Sequence, residues 1–195
     1  MIRLVLDGHD EHLTQRHIRV THFPVKEFMG QVYTFDHLKP YTVNVPLQST
    51  MCPELPISIG FSSHCFTEAF DHALHKDHHR YTHKDELRAF DLTRFECSLQ
   101  LPAAITQLLS GKIYNANRSY TYVAQITMPG PFGRENYSIF FSLERNKKDL
   151  EPALLMFIKS AYIKGLAAPK HAQSWRFSAL AGQIAGVYPT NRPKP

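Results

Sequence analysis

The chain has few cysteines, a single tryptophan and no long apolar run, and these shortages remove several classes of protein. Cys52, Cys65 and Cys97 are the only cysteines among 195 residues. One stays unpaired even if a disulfide forms, which speaks for a reducing compartment rather than a disulfide-framed secreted scaffold. Nowhere do eighteen apolar residues follow one another, so no transmembrane helix and no membrane partner are expected. The first ten residues, Met1 to Asp10, turn polar after Leu6 and lack the apolar h-region of a signal peptide. The expected location is cytoplasmic, in a bacterial-type or phage-infected cell. No P-loop, G-x-G-x-x-G, H-E-x-x-H or G-x-S-x-G motif occurs, which disfavours nucleotide-dependent kinases, zincins and α/β-hydrolases. No cofactor is implied.

What is present is a mildly basic chain of ordinary domain length. Lys and Arg number 22 against 17 for Asp and Glu, a formal charge of +5, and twelve histidines add positive charge at acid pH. That balance permits a polyanionic partner. The length suits a single domain with a decorated N-terminal part.

Strand signals dominate. Ile2 to Leu6 alternates and ends in Asp7-Gly8; Gln31 to Phe35 and Tyr41 to Val45 are β-rich and form a hairpin or two edge strands. Residues 46–56, with Pro46, Pro53 and Pro56, read as loop. Ile57 to Ser62 alternates and delivers Ser62, Ser63, His64 and Cys65 at its end. Phe66, Phe70 and Leu74 follow at helical spacing. Thr82-His83-Lys84-Asp85 has the form of an N-cap, giving a helix to about Cys97. Pro102 opens a second helix that stops at Gly111. Residues 120–126, 137–143 and 154–162 are three strands whose short connections suit an antiparallel meander. Ser174 caps a last helix closed by Gly186, and residues 187–195 form a tail. The expected fold is α+β, an antiparallel sheet preceded and flanked by helices. Residues 1–81 are an N-terminal β-rich elaboration with a His-rich segment, and 82–186 the helix-helix-sheet core.

Residues two apart in a strand share a face, so Ser160 and Tyr162 point together while Lys159 points away, and Arg118, Tyr120 and Tyr122 share a face on their own strand. One groove that gathers these hydroxyls and cations binds phosphate. With one proton-transfer group it can cleave RNA without a metal: a base takes the 2′-hydroxyl proton and cations stabilise the phosphoryl oxygens. His64, held at a sheet edge, is the preferred base or acid. The candidate catalytic set is His64, Tyr122, Ser160 and Tyr162; Arg118, Tyr120, Lys159 and Lys164 are the candidate RNA-binding set. The plainer possibility is that the tyrosines form a cross-strand ladder and that His64 is structural.

His72, His75, His78, His79 and His83 offer another chemistry. His75 and His79 are i, i+4 on a possible helix, and His64, Cys65 or Cys97 would complete a zinc site. The cysteines form no C-x-x-C pair, so a solvated polar segment is favoured and no metal is expected.

The order of helix Asp85 to Cys97, helix Pro102 to Leu109 and then strands holding Arg118-Ser119-Tyr120-Thr121-Tyr122, Tyr137-Ser138-Ile139-Phe140-Phe141 and Ser160-Ala161-Tyr162 resembles toxin-like ribonucleases of the barnase, EndoU, colicin and RelE (BECR) grouping. The resemblance covers roughly residues 82–164. It implies helices before an antiparallel sheet, a small hydroxyl residue followed by Ala and an aromatic on the last strand, and a histidine ahead of the sheet that corresponds to His64 or His83. The expected function is therefore a metal-independent, ribonuclease-like toxin or phage or plasmid accessory protein acting on RNA, with a protein partner or inhibitor as a further possibility. The alternatives are a non-enzymatic defence or counter-defence module that binds a protein or nucleic acid, and a zinc-stabilised nucleic-acid-binding protein.

Overall fold

Alternating apolar residues across 121–163 build the middle of a seven-stranded sheet. The structure is a computed structural model and describes residues 22–116, 121–130, 133–147, 149–164 and 174–189. In chain order its strands are β1 (Lys26–Phe28), β2 (Gln31–Tyr33), β3 (Tyr41–Pro46), β4 (Glu54–Phe61), β5 (Thr67–Ala69), β6 (Arg80–His83) and β7 (Glu86–Phe90). Helices α1 (Leu92–Ser98) and α2 (Leu101–Ser110) follow. Then come β8 (Lys112–Asn115), β9 (Thr121–Gly130), β10 (Gly133–Arg145), β11 (Leu154–Ile163), β12 (Ser174–Arg176) and helix α3 (Phe177–Ala185).

The large sheet has the order β12-β8-β9-β10-β11-β4-β3. Every step is antiparallel except β11 with β4, which is parallel. The fold is thus α+β with an antiparallel-rich sheet. Because β3 and β4 are part of it, the sheet runs across the boundary at 81/82 expected from sequence. β1 and β2 form a separate hairpin turned at Met29-Gly30, and β5-β7-β6 form a three-stranded sheet.

One face of the large sheet is apolar. Ile57, Ile59 and Phe61 on β4, Met156 and Ile158 on β11, and Tyr137, Ile139 and Phe141 on β10 are fully buried. Phe177, the first residue of α3, packs on Phe141 with ring centroids 6.2 Å apart, and Leu101, Ile105 and Leu108 of α2 are buried in the same core. A second, aromatic part of that core joins the smaller sheets: Phe35 stacks on Phe66 at 4.0 Å, and Phe23, Tyr81, Phe90 and Phe95 surround them. His37 anchors α1 to this cluster. The Ser98 hydroxyl donates to Phe95 O (2.7 Å), so His37 Nε2–H donates to Ser98 Oγ (2.8 Å).

Several sequence expectations are corrected. Thr82 to Asp85 does not cap a helix. It ends β6 and turns into β7 through Lys84 and Asp85, both left-handed with φ of 50° and 64°. Pairing β6 with β7 buries Tyr81, Ala89 and Phe90, and that burial outweighs a local capping preference. The helix begins only at Leu92, where the Asp91 side chain accepts from Arg94 N at 2.8 Å. Phe66, Phe70 and Leu74 form no helical face: β5 intervenes, Phe66 enters the aromatic cluster and Leu74 is exposed. Ser174 is the first residue of β12 and not a cap, although α3 does end at Gly186 in the left-handed conformation (φ 80°). Pro56 lies inside β4 rather than in a loop, at a position paired with Asn44 of the edge strand β3. The strand expected at 2–6 lies outside the described residues. No helix among the described residues is long and apolar enough to cross a membrane.

Candidate functional site

The site forms where β4 leaves β11. The parallel ladder ends at Phe61 opposite Ile158, with one further bond from Ser62 N to Ile158 O (2.9 Å), and the chain then turns through a 3-10 turn, Ser63–Cys65. The Ser62 hydroxyl accepts from His64 N at 3.2 Å and fixes the turn. Across the way β11 carries an irregularity: Phe140 pairs with Ser160 while Phe141 pairs with Ile158. Lys159 is the extra residue of a β-bulge, a device that re-aims side chains. The expectation that Lys159 points away from Ser160 is therefore corrected, because both line the same cleft as His64.

A chain of hydrogen bonds holds the His64 ring. Nε2 lies 3.1 and 3.2 Å from the two Glu86 carboxylate oxygens, and Glu86 Oε1 also accepts from Arg88 Nη1 at 2.9 Å. Arg88 is buried and donates through Nε to Thr67 Oγ1 (2.7 Å). Thr67 Oγ1 in turn donates to Ser63 O (2.8 Å), beside His64 itself. The ring of contacts thus closes on the turn that carries the imidazole. Burial raises the Glu86 carboxyl, but the hydrogen bonds from His64 and Arg88 outweigh it and hold the group below its ordinary value. Glu86 therefore stays an anion facing an imidazole, the arrangement that orients a histidine ring.

The cleft has a volume of about 1080 Å³. Leu155 and Phe157 of β11 give it an apolar floor, and Lys84, Arg145, Lys147 and Lys159 outnumber the carboxylates Glu86 and Glu144 around it. His83 lines it too. Burial, with Lys84 adding to it and Glu86 opposing, lowers the His83 imidazole and favours its neutral form. Its Nε2 is buried with no hydrogen-bond partner among the described residues.

The sequence candidates divide. His64, Lys159 and Ser160 come together in the cleft. Tyr122 does not join them. Its register with Phe141 puts it on the core face, 6% exposed, 5.8 Å from the Phe141 ring and 6.3 Å from Trp175, whereas Ser160 pairs with Phe140 on the other face. The single groove of tyrosines and serine is thereby corrected, since alternation within each strand says nothing of register between strands. Tyr162 shares the face of Ser160 but is stacked on Phe140 at 5.5 Å and covered by the Arg94 guanidinium, 4.9 Å from its centroid. Lys164 closes β11, its amide donating to Asn136 O (3.0 Å) and its carbonyl accepting from Ser138 Oγ (2.7 Å), and it does not line the cleft. Arg118 and Tyr120 lie outside the described residues. Sequence reasoning misses Lys84, Glu86 and Arg88 because a cap at Thr82 followed by a helix from Asp85 to Cys97 leaves no room for the β6–β7 hairpin that carries them. A usable signal was there: alternation in Arg80–His83 and again in Glu86–Phe90, separated by two residues of which one is Asp, a residue that tolerates the left-handed region.

The histidine-rich stretch is not an α-helix but turns into a short 3-10 segment, Asp77–His79, which still brings the His75 and His79 rings to 5.5 Å between centroids. His75 Nδ1 accepts from Asp71 N (2.9 Å) and Nε2 reaches Glu68 Oε1 (2.9 Å), so both ring nitrogens are engaged. Cys65, the proposed further ligand, is fully buried, and burial pushes its thiol up to about 12. Among the described residues no three His, Cys, Asp or Glu side chains are grouped as metal ligands.

The model of the YjaZ family matches residues 22–185, and the chain belongs to that family. No curated protein and no solved structure matches it.

Proposed function

We propose that this YjaZ-family chain is a metal-independent, ribonuclease-like protein and that the cleft around His64 acts on RNA. The observation that supports it is the placing of an imidazole oriented by a carboxylate, His64 with Glu86, in one cleft with Lys84, Arg145, Lys159 and Ser160. With Nε2 held by Glu86, Nδ1 is the atom that takes the proton from the RNA 2′-hydroxyl. The 2′-oxygen then forms a bond to phosphorus, the bond from phosphorus to the 5′-oxygen breaks, and a solvent proton completes the 5′-hydroxyl. The products are a 2′,3′-cyclic phosphate and a 5′-hydroxyl end. Lys159 and Lys84 meet the charge on the phosphoryl oxygens, the task a metal performs in other phosphodiesterases. Ser160 donates to a non-bridging oxygen. In this account the helices flank a sheet that serves as a rigid platform, the chain before it elaborates that platform, and the protein works in the cytoplasm.

The test is cleavage of a labelled RNA in EDTA by the wild type and by His64→Ala. Loss of a general base costs about two orders of magnitude in rate, and the half-exposed position of His64 leaves the fold intact. An unchanged rate would remove His64 from the chemistry. Absence of cleavage by wild type would favour the second reading, a non-catalytic module that binds a protein or nucleic acid. That reading has its own support in the β1–β2 hairpin, where Val25, Met29 and Val32 are 64%, 79% and 67% exposed.

A further inference from the structure

The cleft is longer than the proton chemistry needs, and its cations lie at two ends. At one end stand His64, Lys84, Lys159 and Ser160, the groups assigned above to the scissile phosphate. At the other, where β10 runs out, Arg145 and Lys147 stand against the carboxylate of Glu144. Between the two ends the lining is Ser142, Leu155 and Phe157, without charge. The strand register measures the separation: Ser160 pairs with Phe140, and Arg145 pairs with Leu154 at the far end of the same ladder. The stretch of β10 from Phe140 to Arg145 spans about 17 Å at a rise of ~3.4 Å per residue. That exceeds the gap between neighbouring phosphates of one strand.

The far end is built rather than loose. The Nη1 atom of Arg145 lies 3.2 Å from where a Cβ would stand on Gly186. Gly186 is the left-handed end of α3, so the guanidinium rests against a helix C-terminus, whose dipole favours a cation. Lys147 follows Asn146 on a turn that Asn146 fixes, its backbone amide donating to Ala153 O (2.9 Å) and its side chain to Asp149 Oδ2 (2.7 Å). We infer that Arg145 and Lys147 form a distal phosphate subsite and that the substrate is an oligonucleotide. One phosphate lies beside His64 and another, two steps along the strand, on Arg145 and Lys147, while the phosphate between them crosses uncharged lining. Cationic grooves that track a nucleic-acid backbone anchor it in this way. A dinucleotide, with one phosphodiester, cannot occupy both ends. This inference rests on the RNA-directed reading of the same cleft.

The experiment uses octanucleotides with a single ribose in an otherwise deoxyribose strand, so that one bond alone can be cut and the register is fixed. Each other phosphate is replaced in turn by a neutral methylphosphonate, and kcat/KM of the full chain is measured in EDTA. Replacement two steps from the cut, on one side, is expected to lower kcat/KM about ten-fold, the scale of one charge-assisted contact. Replacement of the phosphate between that position and the cut costs little. Arg145→Gln lowers kcat/KM for the unmodified strand by a similar factor, and the distal replacement then costs nothing more, the non-additivity expected of two groups in contact. A flat scan, a loss confined to the phosphate next to the cut, or losses from Arg145→Gln and the distal replacement that simply multiply would each overturn the proposal. Arg145 and Lys147 are both exposed; should Arg145→Gln fail to fold, Lys147→Gln takes its place in the same comparison. Cutting with a flat scan defeats this inference and leaves the ribonuclease standing, whereas no cutting of the unmodified strand defeats both.

Discussion

A few residues set how this chain responds to acid. His37, half-buried under α1, has its imidazole lowered by burial, with Asp36 opposing. His79 and His83 are lowered as well, burial again leading. In the unfolded chain such imidazoles take up a proton near their ordinary value of 6.5, while in the folded chain they resist until lower pH. Between those values the unfolded state holds more protons, so stability rises with pH there: it is fully present above about 6.5 and lost as pH falls through the lower folded values. Glu86 acts lower down in the same direction, since its depressed carboxyl contributes above its ordinary 4.5 and ceases to as pH falls through its folded value. We expect the thermal midpoint to drop between pH 7 and pH 5, and His37→Gln to flatten part of that drop. A midpoint constant across the window would contradict the placing of these rings.

The hairpin and the bulge are the elements that make the site. Lys84 and Asp85 turn β6 into β7 with both residues left-handed, a conformation that costs a side-chain-bearing residue about 1 to 2 kcal/mol. Asp85→Gly removes that cost at one position and adds part of it back as chain entropy, so a gain of roughly 0.5 to 1 kcal/mol is expected from denaturant unfolding. A loss would mean that the Asp85 side chain is needed in the turn. The same elements mark what the sequence could reveal. The three long strands, helix α2 and the Gly186 stop were legible, because alternation, Pro102 and a left-handed glycine leave local signals. Of the site, His64, Lys159 and Ser160 were legible as residue types at strand ends. Their companionship was not, because it depends on the parallel pairing of β4 with β11 and on an extra residue at Lys159, neither of which has a local signature. Tyr122 was misassigned for the same reason. β5, β8 and β12 have three or four residues each, too few for a period to show.

At the scale of the whole molecule, the formal charge of +5 says little until its placement is known. The sheet gives one face to the core and puts part of the other into a cationic cleft that closes against the His64 turn, and there a modest excess becomes a local field. Affinity for RNA should accordingly fall as salt rises. The central claim is narrower than affinity: His64 activates a ribose 2′-hydroxyl inside this cleft. The most direct measurement is therefore cleavage, in EDTA, of two oligonucleotides of one sequence, one all ribose and one all deoxyribose, with the ends of the products identified. The account predicts that only the ribose strand is cut, leaving 2′,3′-cyclic phosphate and 5′-hydroxyl ends. Cutting of both strands alike, or of neither, would contradict it.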